Sequence, residues 1–181
     1  MPVGHISGSA KFDLKLPIQL GQYTLRLARP GEAESISNLI NRAFNDYCQQ
    51  GINSALAENL KDVKLDIEEN LVLVLVGNTG LAGTLRLVLQ EESIYLKRFA
   101  IAPDCQGQGL GSQLFKAVRE LVAETDKGYI YLYSSLEKEK LVAFYEKLGF
   151  SCHRVDQKKG YRRGLWIYRL QEEIDKGEEA V

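Results

Sequence analysis

The segment Phe99-Ala-Ile-Ala-Pro-Asp-Cys-Gln106-Gly-Gln-Gly109-Leu-Gly111-Ser112 decides how the rest of this chain is read. Apolar residues lead up to Pro103, glycine takes every second position from Gly107 to Gly111, and from Leu110 the apolar residues recur at helical spacing. The pattern predicts a strand that runs into a glycine turn and then into an amphipathic helix. Glycine lets main-chain N–H groups come close to an anion, and the start of a helix adds partial positive charge. The segment therefore suits a phosphate or pyrophosphate. A tight turn with no ligand satisfies the same pattern, so the segment alone leaves both readings open.

Known phosphate loops narrow the choice. A dinucleotide turn needs G-x-G-x-x-G; Gly107 and Gly109 fit, but Ser112 stands at the third glycine. Such turns also follow the first strand of a parallel unit, whereas this one lies past the middle of the chain. A P-loop needs Lys immediately before its Ser or Thr, and Gly111 stands there instead. A nucleotide-dependent oxidoreductase or kinase therefore fails on the loop pattern. The pattern Gln/Arg-x-x-Gly-x-Gly/Ala is met in full by Gln106, Gly109 and Gly111.

Outward from this segment, Leu110, Leu114, Val118, Leu121 and Val122 predict a helix over 109–124. Upstream, 23–28 reads as a strand, and Ala33, Ile36, Leu39, Ile40, Ala43 and Phe44 predict a helix over 32–47. A weaker helix is expected over 55–65. Strands 71–76 and 81–89 form a hairpin around Asn78-Thr79-Gly80, and a third strand covers 94–102. Downstream come a strand over 129–133, a helix carrying Leu141, Phe144, Tyr145 and Leu148 that Gly149 caps, and strands at 150–155 and 165–170. Residues 1–20 read as a poorly patterned N-terminal arm, 21–171 as one domain and 172–181 as an acidic tail. The order describes an α/β protein with a mixed sheet, antiparallel in its first half and flanked by helices.

Composition excludes more than it names. Of 181 residues, 23 are Lys or Arg and 24 are Asp or Glu, a net charge of -1 that gives no basic surplus for nucleic acid or a membrane surface. The aliphatic run Leu71 to Val76 falls far short of the ~20 residues that span a bilayer. Residues 1–16 lack the apolar run of a secretory signal, and three cysteines without a CxxC pair read as reduced thiols, so a cytoplasmic chain is expected. Only His5 and His153 are histidines, at opposite ends, so no metal site is expected.

Two motifs together resemble the GNAT superfamily of acyl-CoA-dependent N-acyltransferases. One is Leu96-Lys-Arg-Phe-Ala-Ile-Ala-Pro-Asp-Cys-Gln-Gly-Gln-Gly-Leu-Gly; the other, Ala143-Phe-Tyr145-Glu-Lys-Leu-Gly149-Phe150, is similar to the family's helix-to-strand motif Y-x-K-x-G-F. The resemblance is clear from Leu71 to Leu170 and rests on element order alone from Tyr23 to Asn70. It implies a sheet splayed at its central strands and transfer of an acetyl group from acetyl-CoA to an amine of a small molecule or protein, by direct attack in a ternary complex. Main-chain amides of Gln106, Gly107, Gln108, Gly109, Leu110, Gly111 and Ser112 would hold the coenzyme pyrophosphate. Main-chain groups of Phe99 and Ile101 would pair with the pantetheine arm like an added strand.

Tyr145 is the candidate acid for the departing thiolate, since a positioned phenol can supply that proton; packing on the sheet is its alternative role. Many relatives carry Glu four residues ahead of the position matching Phe99, and here Tyr95 stands there. Glu91 and Glu92 lie in a turn expected to be solvated, which leaves ordered water as a route for the amine's proton. The Asn often found at the position of Lys138 is also missing, so either Lys138 or Ser135 contacts the coenzyme or both simply begin a solvated helix. These departures keep a second reading, a non-catalytic acyl-CoA or anion-binding module with a regulatory role. The resemblance also admits a homodimer. The basic turn Lys158 to Arg163 reads as a solvated loop or as a lure for an acidic acceptor, and Cys105 is given no catalytic role.

Overall fold

The computed structural model describes residues 14–48, 58–157 and 161–170. In chain order these form β1 (Ile18–Leu20), β2 (Tyr23–Leu27), α1 (Ala33–Cys48), α2 (Leu60–Glu69), β3 (Leu71–Gly77), β4 (Gly80–Leu89), β5 (Ser93–Ile101), α3 (Leu110–Ala123), β6 (Tyr129–Ser135), α4 (Glu139–Lys147), β7 (Ser151–Asp156) and β8 (Arg163–Arg169). The strands make one sheet in the order β1-β2-β3-β4-β5-β6-β8-β7. Neighbours are antiparallel throughout except β5 and β6, which run parallel.

Each face of the sheet has its own core. Leu114, Phe115 and Val118 of α3 and Tyr145 of α4 pack on Leu73, Leu85, Leu96, Ile130 and Trp166 on one side. Ile36 and Ile40 of α1 and Val63 of α2 pack on Val74 and Ala100 on the other. Both helix faces follow the apolar spacing of the sequence, and each fully buried aliphatic side chain contributes ~1.5–3 kcal/mol.

Two elements depart from the sequence reading. Residues 18–20, within the stretch read as an arm, form a strand whose Ile18 faces Leu25 across a tight turn. Three residues are too few for a period-2 pattern to show. The second helix begins at Leu60 and runs to Glu69, and residues 55–57 of the expected span lie outside the described residues. Its start is a capping box: the Asn59 side chain accepts from the N–H groups of Lys61 and Asp62, and Asp62 accepts from the N–H of Asn59.

The sequence reading also passed over a buried charge in the sheet. Arg86 of β4 is fully buried and donates to both carboxylate oxygens of Glu58 at 2.7 Å and to Asp66 of α2. Lys97 of β5 reaches Asp66 at 3.0 Å, Arg98 reaches Glu58 at 3.2 Å, and Asn70 donates to Asp66 at 2.7 Å. Removing one partner of such a group leaves a buried charge uncompensated, which is far costlier than losing a surface pair. Arg86→Leu should therefore lower the unfolding free energy in urea titrations by about 3–5 kcal/mol. Lys15→Ala, which removes an 80% exposed partner of Glu124, should stay within about 0.5 kcal/mol in the same measurement.

Candidate active site

The site is made where β5 stops pairing with β6. The two strands are in register at Ser93–Tyr129, Ile94–Ile130 and Tyr95–Tyr131, and the ladder ends there. On the other edge of β5, Lys97 faces Arg86 and Ala100 faces Thr84, so Arg98 and Phe99 together oppose Leu85 in a β-bulge. Arg98 sits at φ 55, in the left-handed region. That conformation costs on the order of 1–3 kcal/mol in a non-glycine residue and persists only where its surroundings hold it. Here Lys97 and Arg98 both reach toward α2, to Asp66 and Glu58, while Phe99 turns to the other face, its ring 5.8 Å from that of Phe144. A bulge bends and twists its strand; β5 swings away from β6 and opens a cleft of about 210 Å³.

One wall of the cleft is the stretch of β5 that β6 leaves without a ladder. Ala102 donates its N–H to the Ala82 carbonyl at 2.9 Å, so by strand alternation the main-chain groups of Phe99 and Ile101 point away from β4 and into the opening. The Gln106 side chain donates to the Ile101 carbonyl at 2.9 Å, and the Gln106 N–H donates to the Pro103 carbonyl at 3.3 Å. Both donor groups of Gln106 therefore shape the turn itself and pin it to the end of β5.

The donors that remain run from Gly107 to Ser112. Gly107 and Gly109 each have φ 76, and a methyl group added to either would meet nothing within 4 Å. Gly109 is the N-cap of α3, which starts without a side-chain cap. The first N–H groups of a helix have no intrahelical partner, so those of Leu110, Gly111 and Ser112 project from the helix start. Gln108 is exposed, Leu110 is buried in the core, and Ser112 is half-buried. Gly111 lies so close to α4 that an added Cβ would stand 3.0 Å from the Phe144 ring.

Tyr145 enters the cleft from α4. That helix ends in a Schellman arrangement: Gly149, at φ 92, donates to the Glu146 carbonyl at 2.9 Å, and Phe150 donates to the Tyr145 carbonyl at 3.0 Å. The Phe150 ring folds back edge-on to Tyr145 at 5.8 Å, and Trp166 lies 6.1 Å away. Tyr145 is 8% exposed, held by these rings, and lines the cleft. It packs on the sheet and borders the opening at once.

Tyr95 stands at the fork. Its ring stacks on Tyr131 at 5.0 Å, and burial pushes its phenol above the ordinary tyrosine value despite the lowering effect of Arg98. The shift keeps the phenol protonated to higher pH than a free tyrosine. Glu91 and Glu92 are exposed at the opposite end of β5 from the glycine turn. No Asp or Glu is among the described residues that line the cleft. The Ser135 hydroxyl accepts from the Glu137 N–H at 3.2 Å and so serves the turn before α4; Lys138 is the N-cap of that helix, with no side-chain cap bond. Cys105 is a half-buried free thiol in the turn after β5.

Of the basic turn Lys158 to Arg163, read as a solvated loop or a lure for an acidic acceptor, Tyr161 and Arg163 line the cleft; sequence reading missed Tyr133 and the ionic cluster of Arg86, Lys97 and Arg98. Tyr133 and Tyr161 flank Arg163, whose guanidinium lies 4.3 Å from the Tyr133 ring centre and pairs with Asp156 at 3.1 Å. The paired Asp156 carboxylate holds the Arg163 guanidinium above its ordinary value. A visible signal was Arg86, the lone charge in the apolar run Leu81 to Leu89. A charge at such a position needs buried partners, and those partners lead to Lys97 and Arg98.

The geometry has counterparts among known proteins. The acetyltransferase (GNAT) domain profile matches residues 35–171, and the chain belongs to that family. An uncharacterized N-acetyltransferase of Bacillus subtilis (strain 168), YesJ, is 28% identical over 143 residues, covering 69% of this chain and 79% of that protein. In fold, the chain is similar to a spermidine N-acetyltransferase SpeG chimera from Vibrio cholerae and human SSAT, with a TM-score of 0.69, 20% identity, and coverage of 86% of this chain and 99% of that one. It is similar also to RimL, a ribosomal L7/L12 alpha-N-protein acetyltransferase in complex with coenzyme A, with a TM-score of 0.67, 14% identity, and coverage of 83% and 95%. Among the described residues, no helix is long and apolar enough to cross a membrane.

The glycine turn gives a direct test. A side chain at Gly109 would strain the left-handed backbone by ~1–2 kcal/mol and narrow the open approach to the helix start. Gly109→Ala should weaken coenzyme A binding by ~10-fold or more in calorimetric titrations. Gly31→Ala, where the added methyl also meets nothing but the backbone is not left-handed, should leave that binding unchanged.

Proposed function

We propose that this protein transfers an acetyl group from acetyl-CoA to the amine of a small molecule or protein, by direct attack within a ternary complex. The observation that carries the reading is the cleft itself. The opening between β5 and β6 brings the stretch of β5 that β6 leaves without a ladder, an uncapped helix start behind left-handed glycines, and the side chain of Tyr145 to one place. A pyrophosphate fits the N–H groups from Gly107 to Ser112. A pantetheine arm fits the edge at Phe99 and Ile101, where it replaces the missing strand. The related N-acetyltransferase YesJ, and the solved RimL complex with coenzyme A, agree with an acyl-CoA donor.

The chemistry then follows. The amine lone pair attacks the thioester carbonyl carbon, a C–N bond forms, and the carbonyl electrons move to oxygen. As they return, the C–S bond breaks and the thiolate leaves. Tyr145 supplies its phenolic proton to that sulfur and recovers one from solvent. The nitrogen's surplus proton leaves through water, because Tyr95 is a neutral phenol and the described cleft lining offers no carboxylate. Retention of Tyr145 in the cleft favours catalysis over a regulatory binding module. Amine acceptors agree with the relatives' names, which specify spermidine in one case and a ribosomal protein in the other. The free thiols of Cys105 and Cys152 suit a reducing cytoplasm.

Two measurements test the mechanism. Tyr145→Phe should reduce kcat by ~100-fold or more, the usual worth of a positioned acid, while calorimetric coenzyme A affinity stays within ~2-fold. Unchanged turnover would remove the phenol from the mechanism. The pH dependence of kcat/KM should follow the acceptor's own amine, moving to higher pH when a more basic acceptor is used. A single inflection shared by acceptors of different basicity would place a titrating base on the protein.

A further inference from the structure

The cleft runs through the sheet and has two mouths of different chemistry. Side chains alternate along β6, where Ile130 and Leu132 belong to the core beneath α3 and α4. Ser134 therefore faces that side as well, while Tyr131 and Tyr133 face the side on which α1 and α2 lie. The first mouth is lined by Phe99, Gln106, Leu132, Ser134, Leu141 and Tyr145. The second is lined by Ala43 and Phe44 of α1, by Tyr95, Tyr133 and Arg163, and by Tyr161, which lies close enough to act on the Arg163 charge. The start of α3 is on the first side, so the coenzyme enters there and the amine has the second mouth to itself.

That second mouth is aromatic, and two of its rings are fixed from behind. Tyr95 lies face to face on Tyr131 at 5.0 Å, with the planes 12° apart, and stands edge-on to Tyr133 at 6.3 Å. Tyr133 carries the Arg163 guanidinium at 4.3 Å, and Asp156 accepts from Nε and Nη2 of that guanidinium at 3.2 and 3.1 Å. Tyrosines held in this way give rigid contact area at little cost in side-chain freedom. The cationic side chains of the cleft are engaged by carboxylates: Lys97 by Asp66, Arg98 by Glu58 and Arg163 by Asp156. A cation can lie on an aromatic face, but one face of Tyr133 already holds Arg163. The mouth offers ring faces and ring edges, the surroundings in which another aromatic ring packs best.

On the acetyl-transfer reading, we infer that the acceptor is an aralkylamine, a primary amine joined through a short linker to an aromatic ring, and that Tyr95, Tyr133 and Tyr161, with Phe44, select it. The ring lies among these four side chains, and the amine points through the sheet to the thioester beside Tyr145.

The test uses the full chain, acetyl-CoA and a thiol-release assay with phenethylamine, hexylamine and spermidine, each rate referred to the concentration of neutral amine. Phenethylamine should exceed both aliphatic amines by ~10-fold or more in kcat/KM, because only it gains the ring contacts. Tyr133→Leu should cut that preference through a higher phenethylamine KM with the acetyl-CoA KM unchanged. Tyr133→Phe, which keeps the ring, should preserve it. Should Tyr133→Leu fail to fold by circular dichroism, Tyr161→Leu should weaken the same preference. Hexylamine or spermidine turning over as fast as phenethylamine overturns the inference and leaves the transferase reading standing, as does an undiminished preference after Tyr133→Leu in folded protein. Thiol release with a peptide N-terminus and with none of the three amines also overturns the inference alone. No thiol release with amines or peptides, from protein that binds coenzyme A, overturns both.

Discussion

The parting of β5 from β6 is the constraint on which the rest of the structure depends. A parallel ladder is slightly weaker per residue than an antiparallel one, and this one lasts three residues. The stack of Tyr95 on Tyr131 closes it at one end. Beyond that stack the bulge at Arg98 and Phe99 drives β5 outward, and the strained Arg98 backbone is held from both faces. On one face, Glu58 and Asp66 fix Lys97 and Arg98; on the other, Phe99 packs against Phe144. The buried ionic cluster therefore acts less as a source of stability, for which such clusters are poorly suited, than as the device that sets the shape of the opening.

Two helix ends are brought to that opening for opposite electrical reasons. At the start of α3, main-chain N–H groups project outward and favour an anion. At the end of α4 the surplus carbonyls are satisfied internally by the Gly149 turn, so the last turn can carry a side chain into the cleft without leaving buried acceptors unmet. The two ends are held together by the lack of a side chain at Gly111, which lets α3 come against Phe144. Position and chemistry are thus coupled through one aromatic ring: Phe144 touches the residue that braces the strand edge, the helix that offers the N–H groups, and Tyr145 beside it.

Features that depend on local pattern were legible in the sequence. The glycine turn, the α3 period and the Gly149 cap each follow from residues adjacent in the chain, and the helix and strand limits there agree to within a residue or two. Two motifs in the right order were enough to imply the splay. Features that depend on distant partners were not legible. Arg86 marks a buried charge, but Glu58 and Asp66 are 28 and 20 residues away and look like ordinary solvated acids. The double role of Gln106 was hidden as well, because its side chain and N–H turn inward to the strand and the turn. Strand β1 is too short for any period to announce it.

Charge shows the same limit most clearly. A net charge of -1 gives no basic surplus for nucleic acid or a membrane surface. The sum is correct and uninformative, because folding sorts the charges that it adds together. An anion can be held by main-chain N–H groups, which no count of lysines and arginines includes. Meanwhile Glu58 and Asp66 are buried beneath the cleft against Arg86, Lys97 and Arg98, while acids such as Glu91 and Glu92 stay in solvent at the far end of β5. In water at physiological ionic strength those distant charges are screened within ~8 Å. What an entering molecule meets is therefore set by the groups that line the cleft and not by the sum over the chain.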